Sequence, residues 1–134
     1  MTEQAPLTET RRVTIDALGA TTDRNVSIAQ APFAGVVAGA TFTPDANITG
    51  ATSTKRTLTV ENRGSDGSGT TVIGTLDFIT GVNGVAYDEL AFTLSATAAN
   101  LVVAADDVIA LKETHASTGT ANPGGLIELT FSRS

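Results

Sequence analysis

The chain has 134 residues, of which 41% are hydrophobic and 16% charged, and a formal net charge of −6. This is the length of one ordinary domain, and the composition is too apolar and too weakly charged for a disordered chain. The negative balance argues against nucleic acid and anionic membrane surfaces as partners, and the lack of cysteine excludes disulfides, thiolate zinc sites and cysteine nucleophiles.

Residues 1–10 begin Met1-Thr2-Glu3-Gln4-Ala5-Pro6, without the basic and apolar regions of a secretory signal. They are expected to form a flexible N-terminal arm, either a frayed terminus or a segment that orders against a neighbouring subunit. From residue 11 the apolar period is two. Val13 and Ile15 alternate with Thr14 and Asp16, and Val26 and Ile28 flank Ser27. Val36, Ala38, Ala40 and Phe42 are expected on one face of a third strand. Leu58 and Val60 follow, then Val72, Gly74, Leu76 and Phe78 on one side. Leu90, Phe92 and Leu94 predict one strand, Val108–Lys112 a short apolar one, and Ile127, Leu129 and Phe131 the last. One wet and one buried face per strand is the mark of antiparallel sheets.

The segments between these runs have loop compositions: Gly19–Asp23, Thr43–Asn47, Gly64–Gly69, Gly81–Gly84 and Gly119–Gly125. The best helical candidate is a single turn in the Ala-rich stretch Thr97–Ala105. The expected fold is all-β: an antiparallel β-sandwich or jelly roll of about eight strands, a single domain over residues 11–134. No run reaches the roughly 18 apolar residues of a membrane-spanning helix.

No catalytic constellation emerges, so a non-enzymatic role without cofactor or metal is expected. His115 is the lone histidine, too few for a multi-histidine metal site, and it reads as an exposed residue at a strand end. Asp88-Glu89 and Asp106-Asp107 are adjacent in sequence, so on a strand each pair would point to opposite faces. Asp23, Asp45 and Asp66 could converge as loop ligands. The loop Gly64-Ser65-Asp66-Gly67-Ser68-Gly69 reads as a tight turn, since it lacks the spaced acids of a calcium hand and the Lys-Ser or Lys-Thr of a phosphate loop. Among the cations, Arg11-Arg12 follow the arm and Lys55-Arg56 open a strand. Such doublets are either solvated strand ends or docking points for an acidic partner. Pro6, Leu7, Arg11 and Arg12 are the candidate partner-binding residues.

Three stretches resemble the small accessory proteins that decorate or cement the heads of tailed bacteriophages. They are Ala31-Pro32-Phe33-Ala34-Gly35-Val36-Val37, Phe42-Thr43-Pro44-Asp45-Ala46-Asn47-Ile48-Thr49-Gly50 and Arg56-Thr57-Leu58-Thr59-Val60-Glu61-Asn62-Arg63-Gly64. Val103-Ala104-Ala105-Asp106-Asp107-Val108-Ile109-Ala110 is similar to a step near the end of trimeric jelly rolls, with Asp106 where that pattern has Gly. Asn122-Pro123-Gly124-Gly125-Leu126-Ile127-Glu128-Leu129 is similar to the loop and last strand of such domains. The resemblance implies a homotrimer on the capsid exterior with the major capsid protein as partner, made in the host cytoplasm and located in the virion. The alternatives are a phage tail-surface or fibre-base module and a carbohydrate-binding sandwich that takes a host-surface glycan. Sugar binders usually place aromatic platforms or calcium on an exposed face, and Tyr87, the single tyrosine, is the one polar aromatic here, which counts against the carbohydrate-binding alternative.

Overall fold

The computed structural model describes residues 8–133. These form ten strands and one 3-10 turn: β1 (Thr8–Ile15), β2 (Arg24–Gln30), β3 (Gly35–Pro44), β4 (Arg56–Gly64), β5 (Thr71–Asp77), β6 (Leu90–Ala91), β7 (Thr93–Leu94), η1 (Ala98–Leu101), β8 (Val102–Val103), β9 (Val108–His115) and β10 (Gly125–Ser132). Every strand pairing is antiparallel. One sheet has the order β1-β10-β3-β6, with β8 also on β3, and the other β2-β9-β4-β5-β7. The two pack face to face as a β-sandwich, as the alternation predicts.

The core lies between the sheets. Phe42, Ile127, Leu129 and Phe131 from the first sheet are buried in one cluster with Leu58, Val60, Ile73, Ile109 and Leu111 from the second. Burying each such side chain stabilises the fold by about 1.5–3 kcal/mol. β10 shows the pattern most plainly, with Gly125, Ile127, Leu129 and Phe131 buried and the residues between them half-exposed.

The pairing is interrupted by β-bulges, and two of them change which residues face inward from the expected alternation. In β3, Val37 pairs with Phe131 and Gly39 with Thr130, leaving Ala38 as an extra residue. Val37 is therefore buried and Ala38 exposed, so Val36 and Ala38 do not share the inward face of Ala40 and Phe42. In β5, Ile73 is skipped in the pairing of Gly74 with Val60 and of Val72 with Glu61. Ile73 turns inward and Val72 outward, against the expectation that Val72 shares the face of Leu76 and Phe78. One inserted residue reverses every side chain beyond it.

The expected strand Leu90–Leu94 is divided between the sheets. β6 pairs with Thr41 and Phe42 of β3, and β7 pairs with Gly74 and Thr75 of β5. Phe92 lies between them in the core, and its N–H donates to Ala40 O at 2.9 Å. The crossing strand passes so close to Gly74 that a Cβ there would lie 3.2 Å from Thr93 O.

Other boundaries shift as well. β1 begins at Thr8, so Thr8–Thr10, expected in the arm, are paired with Ser132–Thr130. Residues 1–7 of that arm lie outside the described residues. The helical turn is present at Ala98–Leu101 as 3-10 rather than α. β9 runs past Lys112 to His115, because Glu113 continues the inward row of Ile109 and Leu111.

Candidate functional site

Among the candidate partner-binding residues, Pro6 and Leu7 lie outside the described residues. Arg11 and Arg12 do not form a joint cationic patch. Arg12 stands opposite Glu128 on the outer face of the first sheet and pairs with it at 3.1 Å. Arg11 stands opposite the buried Leu129, and so belongs to the inward face, where it pairs with Glu9 at 2.5 Å. Neighbours on a strand point to opposite faces, so a sequence doublet becomes two separate ion pairs.

The inward Glu9–Arg11 pair sits on an edge strand. β1 is hydrogen-bonded to β10 alone, and β2, the neighbouring edge of the second sheet, to β9 alone. Long free edges invite pairing with another chain, and inward-pointing charges and bulges are the usual protections. β1 carries Glu9 and Arg11 inward; β2 carries the inward Arg24 and a bulge at Ile28. The double variant Glu9→Val/Arg11→Val is therefore expected to self-associate along β1 beyond the wild-type state, with folding stability unchanged or raised. Light scattering and thermal melts check this; an unchanged mass would remove the guarding role.

The doublet Lys55-Arg56 divides in the same way, and here the reading of a solvated strand end fails for Arg56. Lys55 reaches out to Asp77 at 2.7 Å. Arg56 is fully buried. Its Nε donates to Thr120 O at 3.0 Å, Nη1 to Thr22 O at 2.8 Å, and Nη2 to Gly19 O at 2.7 Å and Ala20 O at 3.1 Å. One guanidinium thus clasps the Gly19–Asp23 turn to the loop before β10. The buried carboxylate of Glu113 accepts from Arg24 on one oxygen and from Asn122 Nδ2 on the other. Burial pulls Arg56 below the ordinary guanidinium range, opposed by the charges of Glu113 and Asp23. Gly119 completes the clasp: its φ is +68°, and a Cβ would overlap Ala20 O. The sequence does carry a signal for this cluster. Arg56 is in phase with Leu58 and Val60, and Glu113 with Ile109 and Leu111, so both continue an inward row.

His115, Asp23, Asp66 and Asp107 serve local structure. His115 stands at a strand end, as expected, but is half-buried rather than exposed: its Nδ1 lies 2.6 Å from Asp23 Oδ1, which also accepts the His115 backbone N–H at 3.0 Å. The bond to the His115 side chain holds the Asp23 carboxyl below the usual range. Asp66 accepts the Ser68 backbone N–H at 3.0 Å and its hydroxyl at 2.8 Å, making Gly64–Gly69 a closed turn; the first of these bonds is the main cause that lowers its pKa. Asp107 accepts from Asn62 and from the Ala104 N–H. Among the described residues no three carboxylates or histidines gather as a metal site, so Asp23, Asp45 and Asp66 do not converge.

Two concavities on the described residues bear on the question. A hollow of about 260 Å³ on the second sheet is lined by Asn25, Ser27, Arg63, Gly67, Val108 and Ala110. Near it, Arg63 Nη2 is 3.0 Å from Glu61 Oε1, too far off axis for a hydrogen bond, and donates weakly to Asn25 at 3.3 Å. A groove of about 410 Å³ beside the sheet crossing is lined by Leu76, Ile79, Val82 and Leu90, with Thr75 and Thr93.

Among the described residues, the large exposed apolar ones are Val72, Ile79, Val85, Tyr87 and Val102, three of them in the connection from β5 to β6. Tyr87 is 79% exposed and has φ +63°. A left-handed backbone at a bulky residue costs about 1–3 kcal/mol and persists only where its surroundings impose it. Here they do. Tyr87 N–H donates to Pro44 O at 2.8 Å, Ala86 N–H to Asn47 Oδ1 at 2.8 Å, and Asp88 N–H to Val85 O at 3.0 Å, while Ile48 and Gly84 form a two-way bridge. Comparison with protein-family models, with curated proteins and with solved structures gives no match to this chain.

Proposed function

We propose that the chain is a structural docking module, a homotrimer that binds the outside of a tailed-phage head through the major capsid protein and stabilises the shell. The observation that carries this reading is the distribution of exposed apolar residues on a sandwich whose long edges carry protections. β1 and β2 bear inward charges and a bulge, whereas Ile79, Val85 and Tyr87 stand out on one connection pinned by hydrogen bonds. Such a pattern suits closed, specific assembly rather than open-ended strand pairing. A trimer at a local threefold point of a shell would engage several subunits at once, so weak individual patches add up to high avidity. Preferential binding to the mature lattice would then stabilise it by mass action.

The test has two parts. Light scattering is expected to give three times the 13.6 kDa chain mass. Phage heads stripped of the protein are expected to rebind it and to resist heat better afterwards; failure to rebind across a range of salt would sink the reading. Removing residues 1–7, which leaves β1 whole, is expected to weaken head binding without changing the mass. A sugar-binding sandwich is the second reading, favoured by the exposed Tyr87 ring.

A further inference from the structure

The connection from β5 to β6 and the end of β3 bring Val85, Tyr87, Asp88 and Glu89 beside Asp45. Pro44 O receives the Tyr87 N–H, which places Asp45 next to the ring-bearing residue. Asp45, Asp88 and Glu89 are all exposed. Six other described carboxylates, those of Glu9, Asp23, Glu61, Asp77, Glu113 and Glu128, are in ion pairs with this chain's own cations or His115. Asp45, Asp88 and Glu89 are in none, as are Asp16, Asp66, Asp106 and Asp107; these three are the ones grouped beside an exposed aromatic ring.

We propose that Val85 and Tyr87, rimmed by Asp45, Asp88 and Glu89, form the surface by which this chain docks on a protein partner whose own contact face is rich in arginine. The proposal rests on the docking reading above and names its face and the chemistry of its partner. A tyrosine presented to solvent on a backbone pinned by hydrogen bonds is the kind of residue that anchors an interface, because little loop freedom is left to lose on binding. An arginine face fits this surface on two counts. Its guanidinium groups stack on the ring, and they answer the carboxylates, which also steer the encounter. An apolar or acidic partner would leave three carboxylates desolvated without a counter-charge.

The chain has one tyrosine and no tryptophan, so its intrinsic emission reports Tyr87 alone. The probe is a synthetic octapeptide of alternating Arg and Gly, with the Glu–Gly peptide and a neutral oligosaccharide as comparators, added to the full chain. The Arg–Gly peptide is expected to change Tyr87 emission saturably, more tightly at low salt, and the other two to leave it unchanged. Tyr87→Asn removes the ring without straining the fold, since Asn tolerates the left-handed backbone. By calorimetry it is expected to weaken peptide binding at least about tenfold. The triple variant Asp45→Asn/Asp88→Asn/Glu89→Gln is expected to weaken it similarly and to flatten the salt dependence, with thermal melts of both variants at or above wild type. Equal binding by wild type and Tyr87→Asn would overturn the proposal, as would a saturable response to the oligosaccharide alone or no response to the Arg–Gly peptide. The mass and head-rebinding measurements are made on the wild-type chain: failure of that chain to rebind sinks the docking reading, whereas rebinding by wild type together with equal peptide binding by wild type and Tyr87→Asn sinks this face alone.

Discussion

Arg56→Met is expected to destabilise the protein by about 3–5 kcal/mol, lowering the melting temperature by roughly 10–20 °C. The side chains are similar in length, so the loss comes from hydrogen bonds and charge rather than volume. Without the guanidinium, the carbonyls of Ala20, Thr22 and Thr120 lose their side-chain donor and that of Gly19 keeps only the Thr22 N–H, around a side chain that is itself fully buried. Each unsatisfied buried group costs about 1–3 kcal/mol when the loops cannot open to hydrate it. Glu113 would keep Arg24 and Asn122, but lose the compensating charge of Arg56 nearby. Arg56→Lys is expected to recover less than half of the loss. An ammonium is a compact donor and cannot span four carbonyls that a planar fork reaches from three nitrogens. Urea unfolding of the three proteins measures this directly. A loss below about 1 kcal/mol for Arg56→Met would show that the two loops hold together without the clasp.

Arg56 also shows where sequence reading succeeds and where it stops. The all-β class and the two-faced strands were legible because Ile127, Leu129 and Phe131, like Leu58 and Val60, repeat at the period that the pleat imposes. The bulges were hidden. At Val36-Val37 and Val72-Ile73 two apolar residues are adjacent, and sequence alone does not say which one turns inward; pairing with β10 and β4 decides it. The division of Leu90–Leu94 between sheets is invisible for a related reason. Its alternation is regular, and the switch at Phe92 depends on what lies above and below it. Arg11 and Arg56 read in the sequence as members of charged doublets, whereas their phase along the strand is what places them. Arg11, Arg24, Arg56 and Glu113 all fall in step with inward apolar residues, and all four are ion-paired or hydrogen-bonded on that face. The exposed tip at Tyr87 had a compositional cue, as the single tyrosine, but its left-handed backbone comes from contacts with the Pro44–Asn47 and Ile48 segments, which are distant in sequence.

The sheet crossing gives the second large effect. Phe92→Ala is expected to cost about 3–5 kcal/mol, the range for a buried Phe truncated to Ala. Phe92 is 4% exposed and lies between two strands of only two residues each. Neither β6 nor β7 has enough backbone pairing to persist alone, so the ring is what fixes Leu90–Leu94 across the gap between sheets. Its loss should therefore be uneven. Amide protection is expected to fall most at Phe92 and Ser95, whose N–H groups donate to Ala40 O and Ile73 O, while the amides of β4 and β9 keep their order of protection. Phe131→Ala, in the middle of the first sheet's core, is the comparison: a similar loss in free energy is expected without that selective opening. Phe92→Leu keeps much of the volume and is expected to lose less than about 1.5 kcal/mol. If hydrogen exchange shows uniform loss of protection in Phe92→Ala, the crossing is held by its backbone bonds and the ring contributes only volume. If loss is concentrated at Phe92 and Ser95, the ring is the pin that closes this side of the sandwich. The groove of Leu76, Ile79, Val82 and Leu90 beside it should then lose its shape along with the crossing strand.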